Sequence, residues 1–222
     1  MNLCIRISLL LSCILILNNC QQASNEAQPE NSATPEARLN KRITVVYDTS
    51  AARYILYGEE QVGTNWTTSF DTITCTVGYN GIAAPGEKRE GDGMTPSGEF
   101  ALGAVFAYDN DLGLKDNFIE LEPYHYWVSE SNAETYNTLV DYDPAPLEAE
   151  KMERGDILYK YGIIINYNTD PVVPGKGSAI FLHIYRSPEK PTAGCVAISE
   201  EDIVQLIRWT QDVTEARIRI IS

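Results

Sequence analysis

Apolar and polar residues change their spacing several times along this chain, and each change predicts an element. Ile43-Thr44-Val45-Val46-Tyr47 is β-branched and aromatic and reads as a first strand. Tyr54-Ile55-Leu56-Tyr57 reads as a second, ending at Gly58, and Asp71–Val77 alternates polar with apolar residues before Gly78. Phe100–Tyr108 and Phe118–Glu122 read as further strands. Tyr161–Tyr167 and Ser178–Tyr185 are nearly continuous apolar runs, the pattern of central strands buried on both faces. One strong helix is predicted at Glu200–Gln211. Ser199 caps it, Glu200, Glu201 and Asp202 favour its positive end, and Ile203, Leu206, Ile207 and Thr210 form one face. A short helix is predicted over residues 145–155, and Arg217-Ile218-Arg219-Ile220 alternates as an edge strand does. The fold class is mainly β with one or two short helices.

The first 40 residues do not share this patterning. Residues 1–17 carry one base, Arg6, and then an apolar run from Ile7 to Leu17, too short to span a bilayer but suited to a signal-peptide core. Residues 1–19 are therefore expected to be a signal peptide of lipoprotein type, with a secretory peptide cut elsewhere or a retained anchor as the alternatives. Cys20 follows the apolar run and resembles the lipidated first residue of a mature bacterial lipoprotein, although Asn19 stands where Gly, Ala or Ser is usual. Residues 21–40 hold only one aliphatic residue larger than Ala, Leu39, and cannot bury enough apolar surface to offset chain entropy. Residues 20–40 are expected to be a lipidated Cys and disordered tether, and 41–222 the folded domain. The expected location is the periplasm or cell envelope, with membrane attachment through Cys20.

Charge narrows the partners. The chain has 222 residues, with 17 bases against 31 acids and a net charge of −14. That balance argues against a nucleic-acid partner, which needs concentrated Lys and Arg.

Cysteine and histidine are scarce, so they decide the candidate chemistry. Cys75 and Cys195 are the thiols of the folded domain, and His125 and His183 are the only histidines. Closely paired Cys/His ligands are absent from the sequence, so no metal site is expected, and the acyl transfer considered below needs no organic cofactor. Cys75 and Cys195 could pair as a disulfide in an oxidising compartment; otherwise Cys195 is an inert buried thiol or a nucleophile. His183 lies in Ala179–Tyr185, where alternation places it with Phe181 and Tyr185 on one face and Ile180, Leu182 and Ile184 on the other. Eleven residues, with Pro188 and Pro191 among them, then separate it from Cys195. That length lets the chain fold back and set the thiol beside the imidazole. Such a pair supports thiol acyl transfer, because the imidazole takes the thiol proton and the sulfur attacks a carbonyl. Gly194 allows close backbone approach, so nearby amides can face the developing oxyanion.

Two motifs carry a resemblance. Gly177-Ser178-Ala179-Ile180-Phe181-Leu182-His183, followed by Thr192-Ala193-Gly194-Cys195-Val196-Ala197, resembles the active-site signature of the L,D-transpeptidase catalytic domain (YkuD-type) family. Gly91-Asp92-Gly93-Met94-Thr95-Pro96-Ser97-Gly98-Glu99-Phe100 is similar to that family's GDGxTPxGxF element, and Tyr159-Lys160-Tyr161-Gly162 with Asn166-Tyr167-Asn168 is similar to its divergent branch. The resemblance implies a β-sandwich-type fold with the Cys on a loop over a groove. It implies Cys195 as nucleophile, His183 as general base and acid, and Gly194 as part of the oxyanion site. The implied substrates are peptidoglycan stem peptides, joined by cross-linking or used for protein attachment. Hydrolysis of the same thioester, as in an L,D-carboxypeptidase, and a non-catalytic wall-binding lipoprotein are the alternatives.

The sequence departs from the common pattern of Ser-His-Gly-Cys followed by Arg. Here Thr192-Ala193-Gly194-Cys195 lacks the second imidazole and the nearby Arg. Arg186, three residues after His183, is a candidate substitute for that charge, with a solvated loop base as its simpler reading. Thr192 either hydrogen-bonds in the site or shapes the turn. His125, in Pro123-Tyr124-His125-Tyr126-Trp127, is a candidate for a binding groove or for packing, and Asp92 either caps its loop or meets a substrate amine.

Overall fold

The computed structural model describes residues 40–142, 148–211 and 213–222. The expected signal peptide, lipidated Cys20 and the tether up to residue 39 lie outside the described residues. Among the described residues no helix is long and apolar enough to cross a membrane.

Strands β1 (Asn40–Asp48), β2 (Arg53–Val62) and β3 (Asn65–Thr74) pair antiparallel in succession. β2 does not stop at Gly58 as expected. A Cβ there would fall 1.9 Å from a ring carbon of Phe70, so the glycine makes room for an aromatic ring on β3 instead of ending a strand. β3 in turn ends at Thr74, before Val77. The next residues leave the β2 ladder for other partners: Thr76 exchanges two backbone bonds with Ala197, at 2.8 and 2.9 Å, and Val77 O accepts from Thr192 N–H at 2.9 Å. The segment expected to lengthen β3 instead ties down the loop that carries Cys195.

The last strand, β12 (Glu215–Ile220), corrects the expectation of an edge. It lies inside the sheet, parallel to β1 and antiparallel to β4 (Gly98–Ala107). Its alternation has a different cause from solvent exposure. Ile218 and Ile220 enter the core, while Arg217 meets Glu99 at 3.0 Å on the opposite face. On that face Arg42 also forms a two-bond pair with Glu59 at 3.0 and 3.1 Å. Paired charges thus let an alternating strand sit between neighbours.

Beyond β4 the sheet continues through β9 (Tyr161–Ile165), β10 (Phe181–Ile184) and β11 (Val196–Ile198), with β5 (Phe118–Glu120) pairing parallel to β4. The register between β4 and β9 slips between Leu102 and Val105, an irregularity of the kind a β-bulge makes. β9 and β10 are buried along their whole length, as their apolar runs predict. The helix α1 (Glu200–Trp209) packs against both of them through Ile203, Leu206 and Ile207. Ser199 caps it by accepting the Asp202 N–H at 3.1 Å.

A second, three-stranded sheet is formed by β6 (His125–Val128), β7 (Leu139–Asp141) and β8 (Ala149–Lys151), in the order β7-β6-β8. β8 overturns the short helix expected over 145–155. Residues 143–147 lie outside the described residues, and 149–151 are extended against Tyr126–Val128. Pairing with β6 overrides the local preference of this Glu- and Lys-rich stretch.

β10 consequently divides two apolar clusters. Leu182 and Ile184 enter the main core with Ile163, Ile198, Ile203 and Ile218. Phe181 enters a smaller aromatic cluster with Phe106, Trp127, Tyr159 and Cys195. Each fully buried aliphatic or aromatic side chain stabilises the fold by about 1.5–3 kcal/mol before entropic costs. The thiol is built into this packing.

Candidate active site

Two neighbouring strands bring Cys195 to the level of Phe181, two residues before His183 on the same strand. β10 and β11 run parallel, with Leu182 opposite Val196 and His183 opposite Ala197. The connection between them, residues 185–195, returns the chain so that Cys195 immediately precedes β11. Both side chains line a cavity of about 560 Å³, together with Tyr159, Glu150, Arg186 and Thr192.

The residue before the nucleophile candidate is glycine for a steric reason. Gly194 has φ of 155°, and a Cβ there would stand 3.0 Å from the Met94 carbonyl oxygen. The upstream Gly91–Phe100 loop therefore touches the Cys195 loop directly. Thr95 strengthens that junction: its hydroxyl accepts the Gly78 N–H at 2.9 Å and donates to the Cys195 carbonyl at 3.3 Å. Thr192 Oγ1 donates to the same carbonyl at 2.7 Å and accepts the Gly194 N–H at 3.1 Å. Thr192 thus holds the turn and lines the cavity at once. The amide of Gly194, part of the expected oxyanion site, is committed to Thr192, whereas the Cys195 N–H has no hydrogen-bond acceptor among the described residues.

Asp92 caps its own loop, the first of its two readings. Its carboxylate accepts the Met94 and Arg89 N–H groups at 2.8 and 2.7 Å and pairs with Lys88 Nζ at 2.6 Å. Those bonds hold it below the usual carboxylate range in spite of burial, which acts the other way.

The thiol and imidazole are both neutral at rest. Cys195 Sγ donates to the Ala179 carbonyl at 3.2 Å and accepts the Phe181 N–H at 3.4 Å, and no hydrogen bond joins it to His183. Burial pushes the thiol up to about 12. Burial also drives the imidazole down to about 4, against the opposing pull of the Ile184 carbonyl. That carbonyl lies 2.8 Å from Nδ1. A carbonyl can only accept, so Nδ1 carries the proton and Nε2 keeps the lone pair. The group that orients His183, which could not be named from sequence, is therefore a backbone carbonyl. Cys75 and Cys195 are both free thiols, and the disulfide reading falls. Burial pushes Cys75 up to about 12 as well.

Three wall residues are not singled out as site residues by the sequence, although Tyr159 opens the Tyr159–Gly162 segment that carries part of the resemblance. Tyr159 stacks edge-on against His183 with ring centroids 5.2 Å apart, and its hydroxyl donates to Glu150 Oε1 at 2.7 Å. Burial, then the nearness of Cys195 and Glu150, pushes the phenol well above its ordinary value. Arg154 donates to the same carboxylate oxygen at 2.9 Å and lies 5.1 Å over the Tyr159 ring. Glu150 and Arg154 are four residues apart, the spacing of a helical ion pair, so their sequence points to a helix instead of a cavity wall.

Arg186 and His125 are placed differently. Arg186 is exposed at the cavity lining and has no ion pair among the described residues. His125 lies on β6, outside that lining, where Nε2 faces Asp141 at 3.3 Å and Nδ1 accepts the Glu122 N–H at 3.1 Å. Among the described residues no group of three or more His, Cys, Asp or Glu side chains is arranged to hold a metal ion.

A mainly β domain here sets a histidine on one strand, and the cysteine just before that strand's parallel neighbour, in one cavity. Residues 41–220 match YkuD, the L,D-transpeptidase catalytic domain, and the chain belongs to that family. A search of the curated proteins finds no match. Among solved structures, the chain is similar to a mutant of the helical cell shape determining protein Pgp2 from Campylobacter jejuni, at 14% identity and a TM-score of 0.43. The alignment covers 82% of this chain and 46% of that one, so the chain spans about half the length of that protein.

Proposed function

We propose that the protein is an exported, lipid-anchored L,D-transpeptidase that acts on peptidoglycan stem peptides through a thioester on Cys195. The observation that carries this reading is the shared cavity of Cys195 and His183 in a chain of the L,D-transpeptidase catalytic domain family. Export and the anchor at Cys20 rest on the patterning of residues 1–20.

The chemistry follows from the neutral pair. Thiolate is scarce at rest, so the thiol proton moves to His183 Nε2 as Sγ bonds to the carbonyl carbon of the donor stem. The oxygen takes up the electron pair of the former C=O double bond and faces the open Cys195 N–H. Collapse of this intermediate breaks the C–N bond to the terminal D-residue, whose amine receives the proton from His183. The thioester remains. An acceptor amine then attacks, gives its proton to His183, and Sγ departs and recovers a proton. Arg186, without an ion pair among the described residues, is positioned at the cavity lining to attract a stem carboxylate.

Intact-protein mass spectrometry with a tetrapeptide stem tests this directly, with Cys195→Ala alongside. The expected result is an acyl adduct on Cys195 and release of the terminal D-residue, with product distribution shifting to the amide when an amine is added. Turnover by Cys195→Ala, or a free Cys195 that never acylates, would overturn the assignment. Release to water alone would make the protein a hydrolase.

A further inference from the structure

Three consecutive residues before β10 are each held by a side chain from outside their segment. The Gly177 N–H donates to Tyr136 Oη at 3.0 Å, Ser178 Oγ to Glu90 Oε2 at 2.7 Å, and the Ala179 N–H to Asn137 Oδ1 at 3.1 Å. Tyr136 donates to the same Glu90 oxygen at 2.5 Å. The segment needs holding, because Gly177 has φ of 108° and Ala179 has φ of 52°. Residues with a Cβ adopt that left-handed region seldom, and keep it only where the surroundings over-determine it.

Asn137 is placed to do so. It lies buried in the β6–β7 connection, itself left-handed at φ 58°, and uses every hydrogen-bonding position of its amide. Oδ1 accepts from Trp127 Nε1 at 2.9 Å as well as from Ala179, and Nδ2 donates to the Tyr167 and Asn168 carbonyls at 3.1 and 2.8 Å. Two N–H donors and two carbonyl acceptors leave only one orientation for that amide.

The segment ends on the thiol. The Ala179 amide is fixed by Asn137, and the carbonyl of the same residue accepts the Cys195 S–H at 3.2 Å. We infer that Asn137 and Tyr136 are positioning residues that act through residues 177–179 to aim the Cys195 thiol. The inference rests on Cys195 being the nucleophile. A hydrogen bond from the S–H favours the neutral thiol, so a loosened segment frees the sulfur to ionise while aiming it worse. Alkylation by a small reagent and acylation by substrate therefore move in opposite directions.

Asn137→Gly and Tyr136→Phe test this in the full chain. Glycine accepts φ 58° without strain, and phenylalanine keeps the ring while removing one hydroxyl. Iodoacetamide labelling is followed separately at Cys195 and at Cys75, which is buried in the main core. The expected result is labelling of Cys195 about three- to tenfold faster at a fixed alkaline pH, with Cys75 unchanged. Single-turnover acylation by a tetrapeptide stem should slow by about tenfold with little change in KM. Equal acceleration at both cysteines would mean general loosening and overturn the inference, and so would unchanged labelling of Cys195 in both variants. If Asn137→Gly does not fold, Tyr136→Phe decides alone. A wild-type protein that never acylates would sink the proposed activity, yet the comparison of the two thiols would still decide this inference.

Discussion

The resting thiol of Cys195 should ionise only in strongly alkaline solution, and that expectation can be worked through to a rate. Burial pushes its midpoint from 9.0 up to about 12. At any pH below the ordinary midpoint, a shift of that size leaves about one thousandth of the usual thiolate. A more basic thiolate attacks faster, and a Brønsted slope of about 0.45 returns roughly twentyfold. Cys195 should then react about 50-fold more slowly than an exposed cysteine, before any loss from restricted access. The assay is iodoacetamide labelling across alkaline and neutral pH, read by mass spectrometry on the peptide that contains Cys195, with a short cysteine peptide in the same tube. The labelling rate at Cys195 should rise about tenfold per pH unit throughout, without a plateau below about pH 11. A plateau near neutrality, at a rate matching or exceeding the reference peptide, would reveal a preformed thiolate–imidazolium pair. It would refute the reasoning that burial dominates both groups.

The other expectations concern stability. His183 titrates near 4 when folded against 6.5 when exposed, so the unfolded chain takes the proton first. Its contribution is complete above the unfolded value and is lost as pH falls, by about 2 kcal/mol between neutrality and about pH 5. Urea unfolding of the wild type and of His183→Asn should show a flatter pH dependence in the variant, and coincident slopes would contradict a neutral buried imidazole. In Gly162→Ala the new Cβ would fall 2.2 Å from a carbon of the fully buried Phe106 ring, which packs against Tyr159 and Phe181. Thermal unfolding should show a loss of about 2–3 kcal/mol, and an unchanged Tm would mean that the aromatic wall yields freely. Ser199→Ala removes the bond to Asp202 N–H that caps α1 and should cost about 1 kcal/mol by urea titration.

Much of the fold was legible because local physics and tertiary context agreed. β1, β4, β9 and α1 fall where periodicity and capping predict them, since each buries the face its pattern presents, whereas β10 begins only at Phe181 because Ala179 is left-handed and breaks the run expected from Ser178. Gly58, Thr76 and β12 were misread for one common reason: their roles depend on residues far away in sequence. Phe70 explains the glycine, Ala197 takes the end of the expected third strand, and paired charges hold an alternating strand inside the sheet. The candidate helix over 145–155 failed in the same way, through pairing of β8 with β6.

By itself, the sequence determined the mainly β class, the scarcity of reactive side chains, and the pairing of His183 with Cys195 as candidates through two motifs. Those properties depend on residue type and short spacing, which the chain displays openly. Only the tertiary structure decided the protonation state of that pair, the carbonyl that orients the imidazole, and the wall of Glu150, Arg154 and Tyr159. It alone decided that Asn137 grips Ala179, 42 residues away. Burial and hydrogen-bond partners are set by whatever the fold packs around a group, and a linear pattern cannot state them until distant segments have met.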